Sequence, residues 1–264
     1  MDSLITYDVG ADGVATVTLD SPHNRNALSR ALLAQLHAAL AEACADARVR
    51  ALVLTAAGPV FCSGADLKED DRNEPPTDRI GLADVLVQLT GCPKPVVARV
   101  AGRARAGGLG LIAACDLAVA ADSADFAFSE VRIGVVPAVI SAVCLPLMDR
   151  RSAQELLLTG AVFDAARAVG SGLLTASVPD DALDRTVTSF TEQLVRGGPD
   201  ALAGTKALLD GPAAHITADD RGALMAEFQE LSRTYFASAE AKEGIAAFRE
   251  RRSPVWPATP TDRR

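Results

Sequence analysis

Two glycine-containing loops and one glutamate hold the residues whose types and spacing could do chemistry. In AGGLGLIAACD, Ala106 to Asp116, the adjacent Gly107 and Gly108 lead into an apolar run. A helix starting there presents backbone N–H groups that no intrahelical acceptor uses, and such groups polarise an oxygen. In GPVFCSGADLKE the segment SGADL is a second loop, and its pattern predicts that a helix begins near Ala65. Two N–H donors converging on one carbonyl make an oxyanion hole. Loss of one donor from such a site typically costs about 2.7–4 kcal/mol of transition-state stabilisation. Either loop alone is more simply read as glycine placed for backbone geometry.

Glu130 lies among apolar residues in FSEVRIG. Desolvation raises the pKa of a carboxylate in such a setting and equips it as an acid or base. The plainer reading is a solvated strand-end glutamate beside Arg132. His23, His37 and His215 show neither a triad arrangement with serine or cysteine nor metal-ligand spacing. No metal site is expected. His37 falls inside an amphipathic helix and reads as structural, and Asp116 reads as a capping or structural hydrogen-bonding group.

These residues sit in a chain of ordinary globular character. Its 264 residues make one large domain or one domain with an appendage. With 49% hydrophobic but only 4% aromatic residues, the core must be built from Ala, Leu and Val. The net charge of -8 argues against nonspecific nucleic-acid binding, which needs a basic surface. A local cluster of Arg and Lys could still hold a phosphorylated ligand. Cys44, Cys62, Cys92, Cys115 and Cys144 are odd in number, widely spaced and free of CxxC, which is neither a disulfide framework nor a zinc signature. Each reads as a buried bystander thiol in a reducing compartment. MDSLITYDVG lacks a basic region followed by an apolar stretch, so no signal peptide is expected. The longest uncharged run, Ile133 to Met148, contains Pro137 and Pro146 and is too short for a bilayer. A soluble, cytoplasmic protein is the expectation.

The elements that must position the loops follow from periodicity. VATVTLD alternates as a strand, and ALVLTA is a short buried strand. Leu28, Leu32, Leu36, Ala39, Leu40 and Ala43 recur at helical spacing, with Asn26 or Ser29 as cap. DDRNEPPTD reads as an exposed loop, followed by a helix from about Asp78 to Thr90. KPVVARVAGRA gives a strand, AGGLGLIAACD a turn and short helix, DLAVAA a strand, and FAFSEVRIG a strand leading to a loop. Further helices are predicted at 152–159, 164–170 and 181–195, and beyond about Gly197 the pattern is helical. This is an α/β plan; periodicity leaves open whether the strands form an open sheet or a superhelix.

Taken together, FCSGADLKE, KPVVARVAGRARAGGLGLIAACDLAVAA and FAFSEVRIGVVPAVIS resemble the signature blocks of the crotonase family, the enoyl-CoA hydratases and isomerases. They occur in the family's order and roughly its spacing, and PHNRNALS and GIAAFRERRSPVW also match. The resemblance implies a ββα superhelix over residues 1–196 and a helical trimerisation region over 197–264. It implies that the backbone N–H groups of Ala65 and Gly107 hold the thioester oxygen of an acyl-CoA, with Glu130 as acid/base. It further implies substrate contacts from Arg25, Ala27, Ser63, Asp66, Leu67, Lys68, Gly108, Gly110 and Pro137. Arg25 and Lys68 would supply charge for the phosphates, while Phe248 and Arg251 would reach a neighbouring subunit's coenzyme A. The amphipathic-helix reading of Phe248 and Arg251 stands beside that one. No separate cofactor is implied, because coenzyme A arrives as part of the substrate. The expected assembly is a homotrimer or a dimer of trimers.

The pattern is broken at one place. Hydratases of this family carry a first glutamate where this chain has Gly110; the second matches Glu130. A positioned acid or base contributes roughly 10²–10⁴-fold, so the loss calls for an account. Hydration with one base assisted by the oxyanion hole is the first reading. Isomerisation of a 3-enoyl-CoA, which needs only one glutamate, is the alternative. A third is an acid supplied by Glu69, Asp70, Asp71 or Glu74. A noncatalytic acyl-CoA-binding protein is the reading from another class. Arg103 and Arg105 are unusual beside a buried helix and are expected on the outer surface or at a subunit contact.

Overall fold

Through the middle of the chain, strands enter two sheets by turns. In this computed structural model, which describes residues 3–69, 80–209 and 221–256, β1 (Ile5–Val9) and β2 (Val14–Leu19) form an antiparallel hairpin. After α1 (Arg30–Ala45), β3 (Ala51–Ala56) joins β2 in parallel, and β4 (Val60–Cys62) leaves for the second sheet. The cycle repeats with α2 (Leu82–Thr90), β5 (Val96–Val100) and β6 (Arg103–Arg105). It repeats again with α3 (Gly107–Ala113), β7 (Leu117–Ala121) and β8 (Asp125–Ala127). The larger sheet runs β1-β2-β3-β5-β7-β10 and the smaller β4-β6-β8-β9. After the β1–β2 hairpin, which lies wholly in the larger sheet, the pairs β3/β4, β5/β6 and β7/β8 each give one strand to each sheet with a helix between pairs, which is a superhelix rather than one open sheet.

The chain continues through α4 (Ala138–Cys144), α5 (Arg150–Thr159), β9 (Phe163–Asp164), α6 (Ala165–Gly170), β10 (Ala176–Val178) and α7 (Leu183–Leu194). Then α8 (Pro199–Leu209), α9 (Arg221–Phe236) and α10 (Ala239–Glu250) follow. The Glu240 carboxylate accepts from the Asp200 and Ala201 N–H groups and so caps α8 from α10. Lys206 of α8 reaches back to Asp116 at 2.7 Å, and Asp116 also accepts from the Val96 N–H. Asp116 is thus structural, as its position suggested.

β3 shows how the core is divided. All but the last of its residues are buried, with alternate side chains on opposite faces. Leu52 and Leu54 join the main core with α1, α2 and α3, while Val53 joins Val97 and Val119 under Leu183 and Val187 of α7. Ser29 caps α1 by accepting the Leu32 N–H. Asn26 does something else. Fully buried with φ 53°, it accepts from the Ser21 N–H and donates to the Ala57 and Val60 carbonyls, clipping three segments together. Asparagine tolerates that left-handed backbone better than most residues.

Three sequence expectations change. No helix begins at Ala65: the residue pairs with Leu28 as a bridge, and the following turn is held by the Asp66 side chain accepting the Lys68 N–H. That local side-chain bond competes with helix formation. The helix expected from about Asp78 begins at Leu82 after Gly81, and Asp78 lies outside the described residues. Glu130 is not at a solvated strand end but on a 3₁₀ turn over Ser129–Ile133, buried.

Candidate active site

Three neighbouring strands of the smaller sheet end side by side, and each is followed within three residues by one of the expected site groups. Cys62 of β4 pairs with Ala104 of β6, and Arg105 pairs with Ala127 of β8, all in parallel. Ala65, Gly107 and Glu130 follow Cys62, Arg105 and Ala127 in the sequence. Parallel register thus gathers them at the carboxyl ends of the strands, the usual place for ligand chemistry in parallel α/β structures.

The two loops touch. A Cβ at Gly64 would stand 3.0 Å from the Ala106 Cβ, and Gly64 itself has φ +89°. Ala106 is held at φ 49°, ψ -119°, its N–H on the Ala127 carbonyl at 3.0 Å, and its own carbonyl accepts from Leu109. A non-glycine residue in such a conformation costs on the order of 1–3 kcal/mol, and such outliers cluster at functional sites. The turn it makes starts α3 at Gly107 immediately after β6. Among the described residues, no acceptor takes the N–H of Gly107 or of Ala65. Ala65 is exposed, whereas its neighbours Gly64 and Asp66 bond to Leu28 through the Gly64 carbonyl and the Asp66 N–H. Space at Gly107 is tight: a Cβ would lie 2.7 Å from Leu28 Cδ1 and 3.0 Å from Leu82 Cδ2, so those side chains would have to shift.

Glu130 is 9% exposed, and its Oε2 is buried with no hydrogen-bond partner. Burial pushes its carboxyl above the ordinary value, opposed by a backbone hydrogen bond of its own residue. Arg132 does not neutralise it: the Arg132 stem packs at Gly160, where a Cβ would meet it at 3.1 Å. Cys144 of α4 lies close enough for Glu130 to help burial raise its thiol to about 12. A buried polar atom left unpaired is uncommon in native proteins and calls for a role.

Gly110 is the sharpest departure from expectation. A Cβ there would stand 2.6 Å from Ile140 Cγ2 and 3.5 Å from Leu86 Cδ1. The volume that a side chain would take is filled from α4. Gly108 is likewise closed, with Cys62 Cβ at 2.8 Å. Gly110→Glu is therefore expected to destabilise the protein by roughly 1–3 kcal/mol through overpacking and to leave water addition to a 2-enoyl thioester no faster. Chemical denaturation and steady-state rates check both parts; an undisturbed fold with a faster reaction would show that Ile140 does not block the position.

The remaining expected residues divide into two groups. The Ser63 N–H donates to the Arg25 carbonyl and the Leu28 N–H to the Gly64 carbonyl, bringing Arg25 and Ala27 against Ser63, Ala65 and Asp66. Arg25, Leu67 and Lys68 are exposed there, and Ala27 is buried. Pro137 is buried at the start of α4. Phe248 and Arg251 are not brought to this cluster: Phe248 is 85% exposed, and Arg251 lines a separate cleft of about 540 Å³ with Arg50, Arg196 and Trp256. Glu69 is engaged at the start of α1, where its carboxylate accepts the Arg30 N–H. Asp70, Asp71, Glu74 and His215 lie outside the described residues. Arg103 and Arg105 both pair with Asp125. No three His, Cys, Asp or Glu side chains among the described residues are placed to share a metal ion, and no described helix is long and apolar enough to cross a membrane.

Sequence reasoning missed Ile140 and Asn26 as residues that shape the site. Ile140 belongs to a seven-residue helix that starts after Pro137 without a side-chain cap. Asn26 was visible only as an alternative cap.

Comparison with known proteins points to one family. The family model described as enoyl-CoA hydratase/isomerase matches residues 10–259. Over 262 residues the chain is 31% identical to the rat protein named enoyl-CoA hydratase domain-containing protein 3, mitochondrial, covering 93% of this chain and 82% of that protein. The crystal structure of an enoyl-CoA hydratase from Mycobacterium smegmatis superposes with a TM-score of 0.85 at 35% identity, covering 97% of this chain and 99% of the other. An enoyl-CoA hydratase from Mycobacterium avium is 42% identical over 96% of this chain and 99% of its own, with a TM-score of 0.71.

Proposed function

The chain belongs to the enoyl-CoA hydratase/isomerase family, and on that premise we propose that it adds water to a 2-enoyl-CoA thioester with Glu130 as its acid/base. The observation that carries this reading is the unpartnered, buried Glu130 Oε2 at the end of the same strand set as Ala65 and Gly107. In the proposed reaction the Ala65 and Gly107 N–H groups hold the thioester oxygen. Glu130 takes a proton from water as the water oxygen bonds to Cβ. The electron pair of the double bond moves to the thioester oxygen as an enolate, and the proton is then delivered to Cα. Donors fixed in advance at the developing charge need no reorganisation as it forms. A raised pKa suits a group that must both take and return that proton.

Arg25 and Lys68, exposed on the loops that flank Ala65, are assigned to the phosphates of the coenzyme A. Val135, Val136 and Val139 are exposed just beyond Glu130 and are assigned to the acyl chain. The proposal includes a homotrimer or dimer of trimers, in which Phe248 and Arg251 serve a neighbour's coenzyme A, and a cytoplasmic location. It requires no cofactor beyond the coenzyme A of the substrate.

Isomerisation of a 3-enoyl-CoA to its 2-enoyl form is the second reading, and Ile140 favours it. With the space beside Gly110 filled by a methyl group, Glu130 alone among the expected site residues that are described is a buried carboxylate, and it would move a proton from Cα to Cγ. Two assays separate the readings: loss of the conjugated thioester from a 2-enoyl-CoA, and its appearance from a 3-enoyl-CoA. Hydration predicts the first. Bond migration without water addition would transfer the assignment to the isomerase.

A further inference from the structure

Cys44 lies in the last turn of α1 and Cys92 just past the end of α2, yet their sulfurs stand 2.7 Å apart. The other three cysteines behave as the bystanders their spacing suggests. Cys115 donates to the Leu111 carbonyl, Cys144 to the Leu109 carbonyl, and Cys62 accepts from the Gly64 N–H. Burial pushes Cys62 and Cys144 up to about 12 and raises Cys115 as well, and buried thiols of that kind are inert. The Cys44–Cys92 pair differs in three ways. Each sulfur has another sulfur as its partner. Cys44 is only half-buried, so one edge of the pair meets solvent. Lys94 holds the Ala43 and Asp46 carbonyls beside it and Lys206 holds the Lys94 carbonyl, which keeps two ammonium groups near the thiols.

We propose that Cys44 and Cys92 are an oxidation site, which a peroxide converts into a disulfide that staples the end of α1 to the segment between α2 and β5. The hydrogen bond from Cys44 holds the Cys92 thiol below the ordinary cysteine value against the opposing effect of burial, and both lysines act in the same direction as that bond. Cys44 moves the other way, raised by the same hydrogen bond and by burial. The Cys92 thiolate attacks one oxygen of hydrogen peroxide, breaking the O–O bond and giving a sulfenic acid; the departing hydroxide takes a proton and leaves as water. The Cys44 sulfur then attacks the Cys92 sulfur and loses its proton. The S–O bond breaks, and the second oxygen leaves as water. Two thiols lose two electrons and the peroxide gains them. A disulfide needs its sulfurs at about 2.03–2.05 Å, a short approach from where they stand.

The staple bears on the site through α2. Leu82 of this helix backs Gly107 and Leu86 backs Gly110, so fixing the far end of α2 to α1 fixes the wall behind the start of α3.

The test uses the reduced full chain, hydrogen peroxide and alkylation under denaturing conditions, read by mass spectrometry. The titratable thiols are expected to fall from five to three. The mass should drop by two hydrogens, and one cross-linked peptide should join Cys44 to Cys92. The thermal midpoint should rise by roughly 5–10 °C and return on reduction. Cys44→Ser and Cys92→Ser should each abolish the shift. Five thiols after treatment, a bridge to another cysteine, or a sulfinic acid at Cys92 without a bridge would each overturn the proposal. All of these readouts are independent of enzymatic turnover.

Discussion

Glu130→Gln is expected to lower kcat/KM by about 10²–10⁴-fold on whichever thioester the wild-type protein turns over, while the fold gains stability at neutral pH. The first part follows because the amide matches the carboxyl in shape but can neither take nor return a proton. The second follows from linkage. Burial raises the Glu130 carboxyl above its ordinary value, so between the unfolded and folded values the native state binds more protons than the unfolded chain. Stability then falls as pH rises through that window, and the charged form remains a burden above it. Glutamine carries no such burden. The midpoint difference between variant and wild type should therefore grow from acid to neutral pH and vanish below the ordinary carboxylate range. In wild type, kcat/KM should rise with pH along a limb displaced above that range, since the base must be ionised in the free enzyme. Thermal scans and initial rates across pH check all three. A variant of full activity, or one equally destabilised at every pH, would remove Glu130 from the chemistry.

Ala65→Pro is expected to cost about 10²–10³-fold in kcat, the effect of losing one oxyanion donor worth about 2.7–4 kcal/mol. Few backbone donors can be deleted so cleanly. The Ala65 N–H has no acceptor among the described residues, and the bonds on either side use the Gly64 carbonyl and the Asp66 N–H. Ala65 is exposed, so the ring has space. Proline also fixes φ, and Ala65→Gly, which keeps the N–H and loosens the backbone, separates the two effects. The glycine variant should retain most of the activity and the proline variant should not. The same substitution is unsuitable at Gly107, where even a Cβ meets Leu28 at 2.7 Å. If the proline variant turns over normally while remaining folded, the thioester oxygen is not held by Ala65.

Much of this arrangement is legible in the residues. Alternation in VATVTLD marks β2 and leucines at helical spacing after Ser29 mark α1, because each buries one repeating face, while the continuous apolar run ALVLTA marks β3, which is buried on both faces. The glycine pair before an apolar run marks the start of α3. Other features depend on partners distant in sequence. β1 is an edge strand whose residues after Ile5 are not buried, so it carries little periodic signal. Ala65 sits in a helix-like string but bridges Leu28, which lies across the chain. Nothing near Gly110 in sequence indicates that Ile140 occupies its open side. The Cys44–Cys92 contact spans 48 positions. In each case the outcome is decided by packing between turns of the superhelix, which local pattern does not encode.

Gly110 consequently has a meaning that the residues alone left divided. The missing carboxylate is not simply absent; the volume its Cβ would take belongs to Ile140, while the buried Glu130 carboxyl is retained. A site of that form suits proton movement next to a stabilised enolate. Under the proposed function, a buried Glu130 Oε2 without a partner, costly to retain, has a use that a protein merely binding acyl-CoA would not give it.

The central claim is that Glu130 exchanges a proton with an oxyanion-stabilised thioester. Incubation with a 2-enoyl-CoA and, separately, a 3-enoyl-CoA in D₂O, followed by mass spectrometry of the recovered thioester, tests this most directly. Wild type is predicted to return at least one of them with deuterium at Cα and Glu130→Gln to return both unlabelled. Wild-type protein that binds both thioesters and returns them unchanged would contradict it.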